Sequence, residues 1–416
     1  MEEIAAPPSA DVVRQRPWTV FSSGPFRNLW IATTLSLFGS FFSYIATAWL
    51  VLQLTGSSLA LGTVLVVEAI PRGVFMVVGG ALSDRLSPRA TMVVSMGLRA
   101  VFVAPLALLV LTGRAQLWEV YVIGFVFGTV DALFMPARMS ILPRIVRDNE
   151  LEPGNAVLNV TAQGSVVLGP VLGGVIVAAF GTGWAFAGDA ACFVVGLLFV
   201  LALPRPNEGT AQARHAAGLG GQITAGLRYA WADFGIRVML IVIAVVDFAA
   251  NGALGVGIPT LAHGPLHGGP AGLGILFGAW GIGATAGALG AGFVPAPKRY
   301  GFLIIGLCLW LGVGIAGVGL APTLLIAALL MGLSGVSTGV VNTYGISWLQ
   351  RRTDPAMQGR VMSIVMLAST GLTPLAYAGS GFVANLNPTL LFLIAGGMIL
   401  LCGVGAAASR KVRSLT

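Results

Sequence analysis

Gly79-Gly80-Ala81-Leu82-Ser83-Asp84-Arg85-Leu86-Ser87-Pro88-Arg89 is a compact polar stretch that ends one long apolar run and comes just before another. So short a break between two such runs reads as a hairpin between two membrane helices. Glycine lets neighbouring helices approach closely, and Asp84, Arg85 and Arg89 place charge at the water boundary.

Working outward, the composition fits that reading. Of 416 residues, 56% are hydrophobic and 9% charged, with 58 glycines, and the mean hydropathy is +0.90. A soluble domain does not bury so much apolar sequence with so few charges, so the chain reads as a polytopic all-α membrane protein. Segments of about 20 apolar residues, enough to span a bilayer, fall near 28–52, 58–82, 90–112, 117–136, 155–180, 183–203, 238–262, 271–295, 301–320, 322–348, 359–384 and 388–408. The longest polar interval, 204–237, contains a helix-like piece around Ile223 to Trp231 and divides the spans into two sets of six. The organisation read from this is a tail over 1–27, a first bundle over 28–203, a linker over 204–237, a second bundle over 238–408 and a basic tail over 409–416.

The net charge of +8 punctuates the loops instead of forming one patch, which argues against nucleic acid as a partner. Arginines and lysines such as Arg85, Arg89, Arg138, Arg144, Arg147, Arg205, Lys298, Arg351 and Arg360 fall on alternate loops, and only Arg114 lies on the opposite set. This asymmetry places both termini in the cytoplasm of a cell-membrane protein. Cys192, Cys308 and Cys402 all lie inside apolar runs, with no disulfide framework or thiolate metal spacing. His263 and His267 are four apart on an expected outer loop but have no evident third ligand, so no metal is expected. The polar start of the chain lacks the pattern of a removable signal peptide.

The spacing G-x-x-x-D-R-x-x-x-R over Gly80, Asp84, Arg85 and Arg89 resembles the loop signature of the major facilitator superfamily, with Ser87-Pro88 in place of the usual Gly-Arg. Gly169-Pro170-Val171-Leu172-Gly173-Gly174 resembles the G-P-x-x-G-G signature of its exporters. Met135-Pro136-Ala137-Arg138, Phe26-Arg27-Asn28-Leu29-Trp30 and Gly359-Arg360-Val361-Met362-Ser363 are similar to the branch that exports drugs, macrolides and siderophores. That branch often carries Gly-Asp midway in helix 1, where this chain has Gly39-Ser40. The resemblance implies two six-helix bundles built of inverted repeats. Helices 1, 4, 7 and 10 would line a central cavity, and 2, 5, 8 and 11 would form the rocking interface. Asp84 would face the start of helix 11 near Gly359 and latch the inside shut, so Asp84→Asn should slow turnover with little loss of substrate affinity.

Ionisable groups within spans are functional candidates by default. Glu68 and Arg72, four apart with the acid first, suit an ion pair on one helix face, with a structural, gating or substrate-contacting role. Asp131 and Asp247, with Asn251 one turn after the latter, fall on helices that the resemblance assigns to the cavity. They are the expected sites of substrate contact and proton exchange. Arg99 and Asp189 are expected to form structural salt bridges, Arg99 with Asp131 for example. Phe41, Phe42, Tyr44, Trp49, Phe134 and Trp280 could wall the cavity or simply pack.

The function read from all this is export of a small amphiphilic compound in exchange for protons, of the kind that confers multidrug resistance, by a monomer in the lipid bilayer without a cofactor. Uptake of a nutrient or metabolite, or a non-transporting sensor, are the alternatives. The chain has no P-loop and no H-E-x-x-H. Gly335-Val336-Ser337-Thr338-Gly339 fits G-x-S-x-G but lies inside an expected helix, where a hydrolase elbow needs a strand-to-helix turn. An enzyme is therefore not expected.

Overall fold

A computed structural model describes residues 17–83, 87–204, 219–295 and 297–415. Asp84 and Arg85 lie outside the described residues. Twelve helices among the described residues are long and apolar enough to cross a membrane. They are α1 (Gly24–Thr55), α2 (Ser58–Ser83), α3 (Pro88–Leu111), α4 (Leu117–Ile145), α5 (Leu151–Phe180), α6 (Thr182–Leu201), α7 (Phe234–His263), α8 (Gly269–Phe293), α9 (Tyr300–Gly319), α10 (Leu324–Arg352), α11 (Gln358–Leu386) and α12 (Pro388–Ala408). No strand occurs among the described residues.

Local chemistry accounts for the ends. Ser23, Ser87, Thr323 and Asn387 each accept from a backbone N–H in the first turn of α1, α3, α10 and α12. Gly56 closes α1 in the left-handed region at φ 62°, a conformation that costs glycine nothing, with its N–H on the Leu52 carbonyl. Asp233 caps α7 and also holds Arg352 of α10, Oδ1 to Nε at 2.9 Å. A short helix, Leu219–Ala232, precedes that cap, where the sequence suggested a helix-like segment.

Three elements differ from the sequence expectation. α4 does not stop near 136 but runs through Pro136 and Pro143 to Ile145, because Ala137, Ile141 and Leu142 on its extension are buried. α7 contains a wide turn of π-helix over Ala253–Gly257, a local distortion that recurs at functional sites. α11 is broken at Gly371-Leu372, ahead of Pro374.

The packing of the first six helices is repeated by the last six. α2–α4, α3–α6, α1–α6 and α1–α5 recur as α8–α10, α9–α12, α7–α12 and α7–α11. The two bundles meet mainly through α5 with α8 and α2 with α11. Gly335 and Gly339 of α10 lie against the backbone of α8 at Trp280 and Ala284, so this G-x-S-x-G stretch is a packing seam. Large apolar side chains such as Val101, Leu108, Phe293 and Leu401 point outward, as a lipid-facing surface requires.

Candidate functional site

The face of the molecule that carries Pro17 and Leu415, the first and last described residues, is called the near face here, and the opposite one the far face. The bundles are fastened together in the far half. Gly174 of α5 sits against Pro270 and Gly274 of α8, so that an added Cβ would come within 2.6 Å of the Pro270 carbonyl oxygen. The seam continues through Val171 and Gly278 to a hydrogen bond from Gln163 Nε2 to Thr285 Oγ1 at 3.1 Å. One turn nearer, Val160 is 73% exposed and the seam has parted. On the other side Gly62 of α2 meets Gly381 and Tyr377 of α11, and Ser57 bonds Asn385 at 3.1 Å. Between these seams Trp49 of α1 packs on His263 of α7 with ring centres 5.1 Å apart. Thr260 of α7 bonds Ser58 in a buried contact.

Below this closure lies a cavity of about 440 Å³, within the size range of small-molecule sites. Its walls are Phe41, Tyr44, Phe127, Phe277, Trp280 and Tyr377, and its polar edge is Glu68, Arg72, Asp131, Asn251 and the hydroxyls of Ser40 and Thr47. Tyr44 of the first bundle meets Phe277 of the second edge-on, at 5.5 Å between ring centres. Its hydroxyl faces the carbonyl of Gly255 in the π-turn at 3.5 Å.

Four charged residues from three helices form one chain at the edge of the cavity. Arg72 Nη2 lies 2.5 Å from Glu68 Oε1, one turn away on α2, and 2.6 Å from Asp131 Oδ2 on α4. The other Asp131 oxygen is paired with Arg99 Nη2 of α3. Arg99 is 2% exposed, whereas Arg72 is 44% and Asp131 28% exposed. The chain therefore runs from the open cavity into the bundle. At its inner end the Arg99 guanidinium is held over the rings of Phe127, Phe134 and Phe193 at 5.1, 5.7 and 5.1 Å, a placement that favours a cation. Its Nη1 donates to Ser40 Oγ at 3.3 Å.

The remaining candidates fall in different places. Asn251 lines the cavity, while Asp247, one turn along α7, accepts from Ser369 Oγ of α11. Asp189 of α6 is fully buried, and its carboxylate lies against Gly39 of α1, where an added Cβ would sit 2.6 Å from Oδ1. Arg89 Nη2 donates to the Leu201 carbonyl at 2.6 Å, at the C-terminal end of α6, where a cation is favoured. In the 169–174 segment, Gly169 and Pro170 sit by Phe41 and the cavity, Gly173 faces Phe42 and Ile45, and Gly174 meets α8. Gly80 lies within α2. Among the described residues no group of His, Cys, Asp and Glu could hold a metal ion.

Phe127, Phe193, Phe277 and Tyr377 belong to the site although nothing in the sequence singles them out. Each lies in an apolar run where a cavity-facing ring and a lipid-facing ring look the same.

Residues 15–416 match the family model described as transmembrane secretion effector. The chain is 25% identical over 387 residues to the enterobactin exporter EntS of Citrobacter koseri, covering 89% of this chain and 92% of that protein. It is 25% identical over 385 residues to EntS of Escherichia coli, covering 89% and 91%. Among solved structures, the nucleoside transporter NupG is similar with a TM-score of 0.72 at 15% identity, over 92% of this chain and 98% of that one. A bacterial homologue of the human lysosomal transporter Spinster, inward-facing and unoccupied, is similar with a TM-score of 0.64 at 14% identity, over 98% and 99%. At such identity these two likenesses concern the fold.

Proposed function

Because the chain belongs to the transmembrane secretion effector family of the major facilitator superfamily, we propose that it exports a small amphiphilic organic compound by alternating access, in exchange for protons. The chain is a multi-pass inner-membrane transporter of a small molecule and not an enzyme. The export direction, the proton and the sites are our reading.

One observation carries it: a cavity between the bundles, fastened on the far side and edged by the Glu68–Arg72–Asp131–Arg99 chain. The alternate-loop arginines make the near face cytoplasmic, so this conformation is the one that loads cargo from the cell. The bundles over 28–203 and 238–408, joined by the 204–237 linker, rock about the cavity. The glycine seams α5–α8 and α2–α11 open on the far side as the near side closes. Because these glycine faces are used inside the molecule, the working unit is a monomer.

The aromatic walls suit a compound with a flat or apolar body. The charged edge suits a polar group that competes for Arg72 or for the carboxylates. Enterobactin, the cargo named for the relatives, is taken here as a guide to that class. Inward proton movement supplies about 2.3 kcal/mol per charge per 100 mV. Asp131 and Asp247 are the acids through which we read the exchange, with Glu68, Arg72 and Asn251 contacting cargo.

The test is accumulation in inside-out membrane vesicles of lipophilic cations, macrolides and siderophores, with and without an imposed pH gradient. Gradient-dependent accumulation of one class supports the proposal. Binding without gradient-dependent accumulation of any of them overturns it.

A further inference from the structure

Among the described residues, charge does not balance inside the first bundle. Glu68, Asp131 and Asp189 face Arg72 and Arg99, three acids against two bases. Both arginines are engaged by Glu68 and Asp131, and the surplus acid is Asp189, the most deeply buried of the set. Its one hydrogen-bonding neighbour among the described residues is the Ser43 hydroxyl, a contact that leaves the carboxylate short of partners. An ionised carboxylate so placed is far more costly than the neutral acid. Arg99, meanwhile, keeps a buried Nε–H without a partner. An under-satisfied acceptor and an unpartnered donor thus lie in the same buried region.

We propose that Asp189 is the resident proton carrier, and that Arg99 works as a switch between Asp131 and Asp189. The proposal rests on the proton-exchange reading above and deepens it. In the present conformation Arg99 holds Asp131 as a carboxylate, and Asp189 keeps the proton. When Arg99 turns its fork to α6, Asp189 becomes the carboxylate and its proton passes to the Asp131 oxygen that Arg99 has released, while Arg72 keeps to Glu68. Charge and protons are conserved within the bundle. Asp131, at the cavity edge, then exchanges the proton with water or gives way to a polar group of the cargo.

The surroundings permit this and little else. Among the described residues the groups facing Asp189 are Gly39 and Ser43 on α1, Arg99 on α3 and Cys192 on its own helix. Arg99 is the one cation among them. Phe127, Phe134 and Phe193 form an apolar slot in which the guanidinium can turn while remaining over a ring, and Phe193 lies one turn beyond Asp189 on α6. Ser40 anchors Nη1, a pivot for that movement.

The test uses the full chain in proteoliposomes with two readouts, substrate exchange at equal pH and substrate-triggered proton movement. Asp189→Asn copies the neutral acid in shape and hydrogen bonding. It is expected to retain exchange and to lose proton movement. Asp189→Glu keeps the titratable group and is expected to restore part of the coupling. If wild-type protein moves protons and Asp189→Asn does so equally well, the inference fails while the proposed function stands. If wild-type protein exchanges substrate with no proton movement, the function reading itself fails. Loss of both readouts in Asp189→Asn and in Asp189→Glu would mark Asp189 as structural and overturn the inference.

Discussion

Arg99 and Asp131 form an ion pair of unequal burial, the guanidinium sealed at 2% exposure and the carboxylate open to the cavity at 28%. The cation lies in the protein interior and the acid is placed where water and cargo reach it. This asymmetry gives the two residues different consequences when altered.

Arg99→Leu takes away one of the two arginines that hold Asp131 and leaves it with Arg72. Breaking a fully buried pair by removing one partner costs about 3–5 kcal/mol, and the cost here is smaller because Asp131 keeps Arg72 and opens to the cavity. The expected outcome is a measurable fall in the thermal unfolding midpoint in detergent. Adding Asp189→Asn to Arg99→Leu should change the midpoint little further, because Asp189 already carries its proton in this conformation. An unchanged midpoint in Arg99→Leu would show that the pair does not hold the bundle.

Asp131→Asn should leave the folded protein abundant, since Arg99 still has Asp189 within the same region. Proton-coupled transport should be abolished while cargo binding persists. Size-exclusion profiles measured alongside vesicle transport check both halves of that expectation, and full coupling in the variant contradicts the role given to Asp131.

Gly174→Val tests the far-side closure. Its first added carbon meets the Pro270 carbonyl at 2.6 Å, and overpacking of this kind costs about 1–3 kcal/mol. A penalty of that size shifts a two-state balance by about 5–150-fold. A cysteine placed at Thr47 in the cavity should then react faster with a reagent supplied from the far side. Equal labelling in both backgrounds would mean that α5 and α8 do not form the gate.

Asp233 links the helix before α7 to α10, and its acidity responds to that position. Partial burial opposes ionisation, but the Arg352 guanidinium and the N–H groups of Ile236 and Gly235 outweigh it and hold the carboxyl below its usual value. A depressed folded value means that the stabilisation is complete above the unfolded value and is lost as pH falls through the folded one. With both partners about a third exposed, the ion pair contributes roughly 0.2–1 kcal/mol. Asp233→Asn should therefore speed proteolysis near 219–232 at neutral pH, and the difference from wild type should vanish in acid. A difference that persists in acid would exclude the ion pair as its cause.

Much of the fold was legible because a bilayer demands long apolar runs, and the charges of residues 84–89 and 204–237 interrupt them sharply. What was not legible has local causes. Pro136 and Pro143 look like helix ends, yet burial of Ala137, Ile141 and Leu142 carries α4 past them. The π-turn at Ala253–Gly257 is set by tertiary contacts, with Gly255 against Tyr377 and Gly257 against Phe392. At the site, the i,i+4 spacing disclosed that Glu68 and Arg72 share a helix face, because that relation lies within one helix. The bridge from Arg72 to Asp131 crosses helices and is settled only by packing. Asp189 is expected from the sequence to form a structural salt bridge, but its carboxylate sits in the room that Gly39 leaves on α1, with no ion pair within 4 Å among the described residues.

The most direct measurement of the central claim is proton movement in proteoliposomes, followed with a pH-sensitive dye while lipophilic cations, macrolides and siderophores are added in turn. Exchange through this cavity predicts a proton flux that starts with one class of compound, saturates with its concentration and disappears in Asp131→Asn. A compound that binds and crosses the membrane without any proton flux would contradict it.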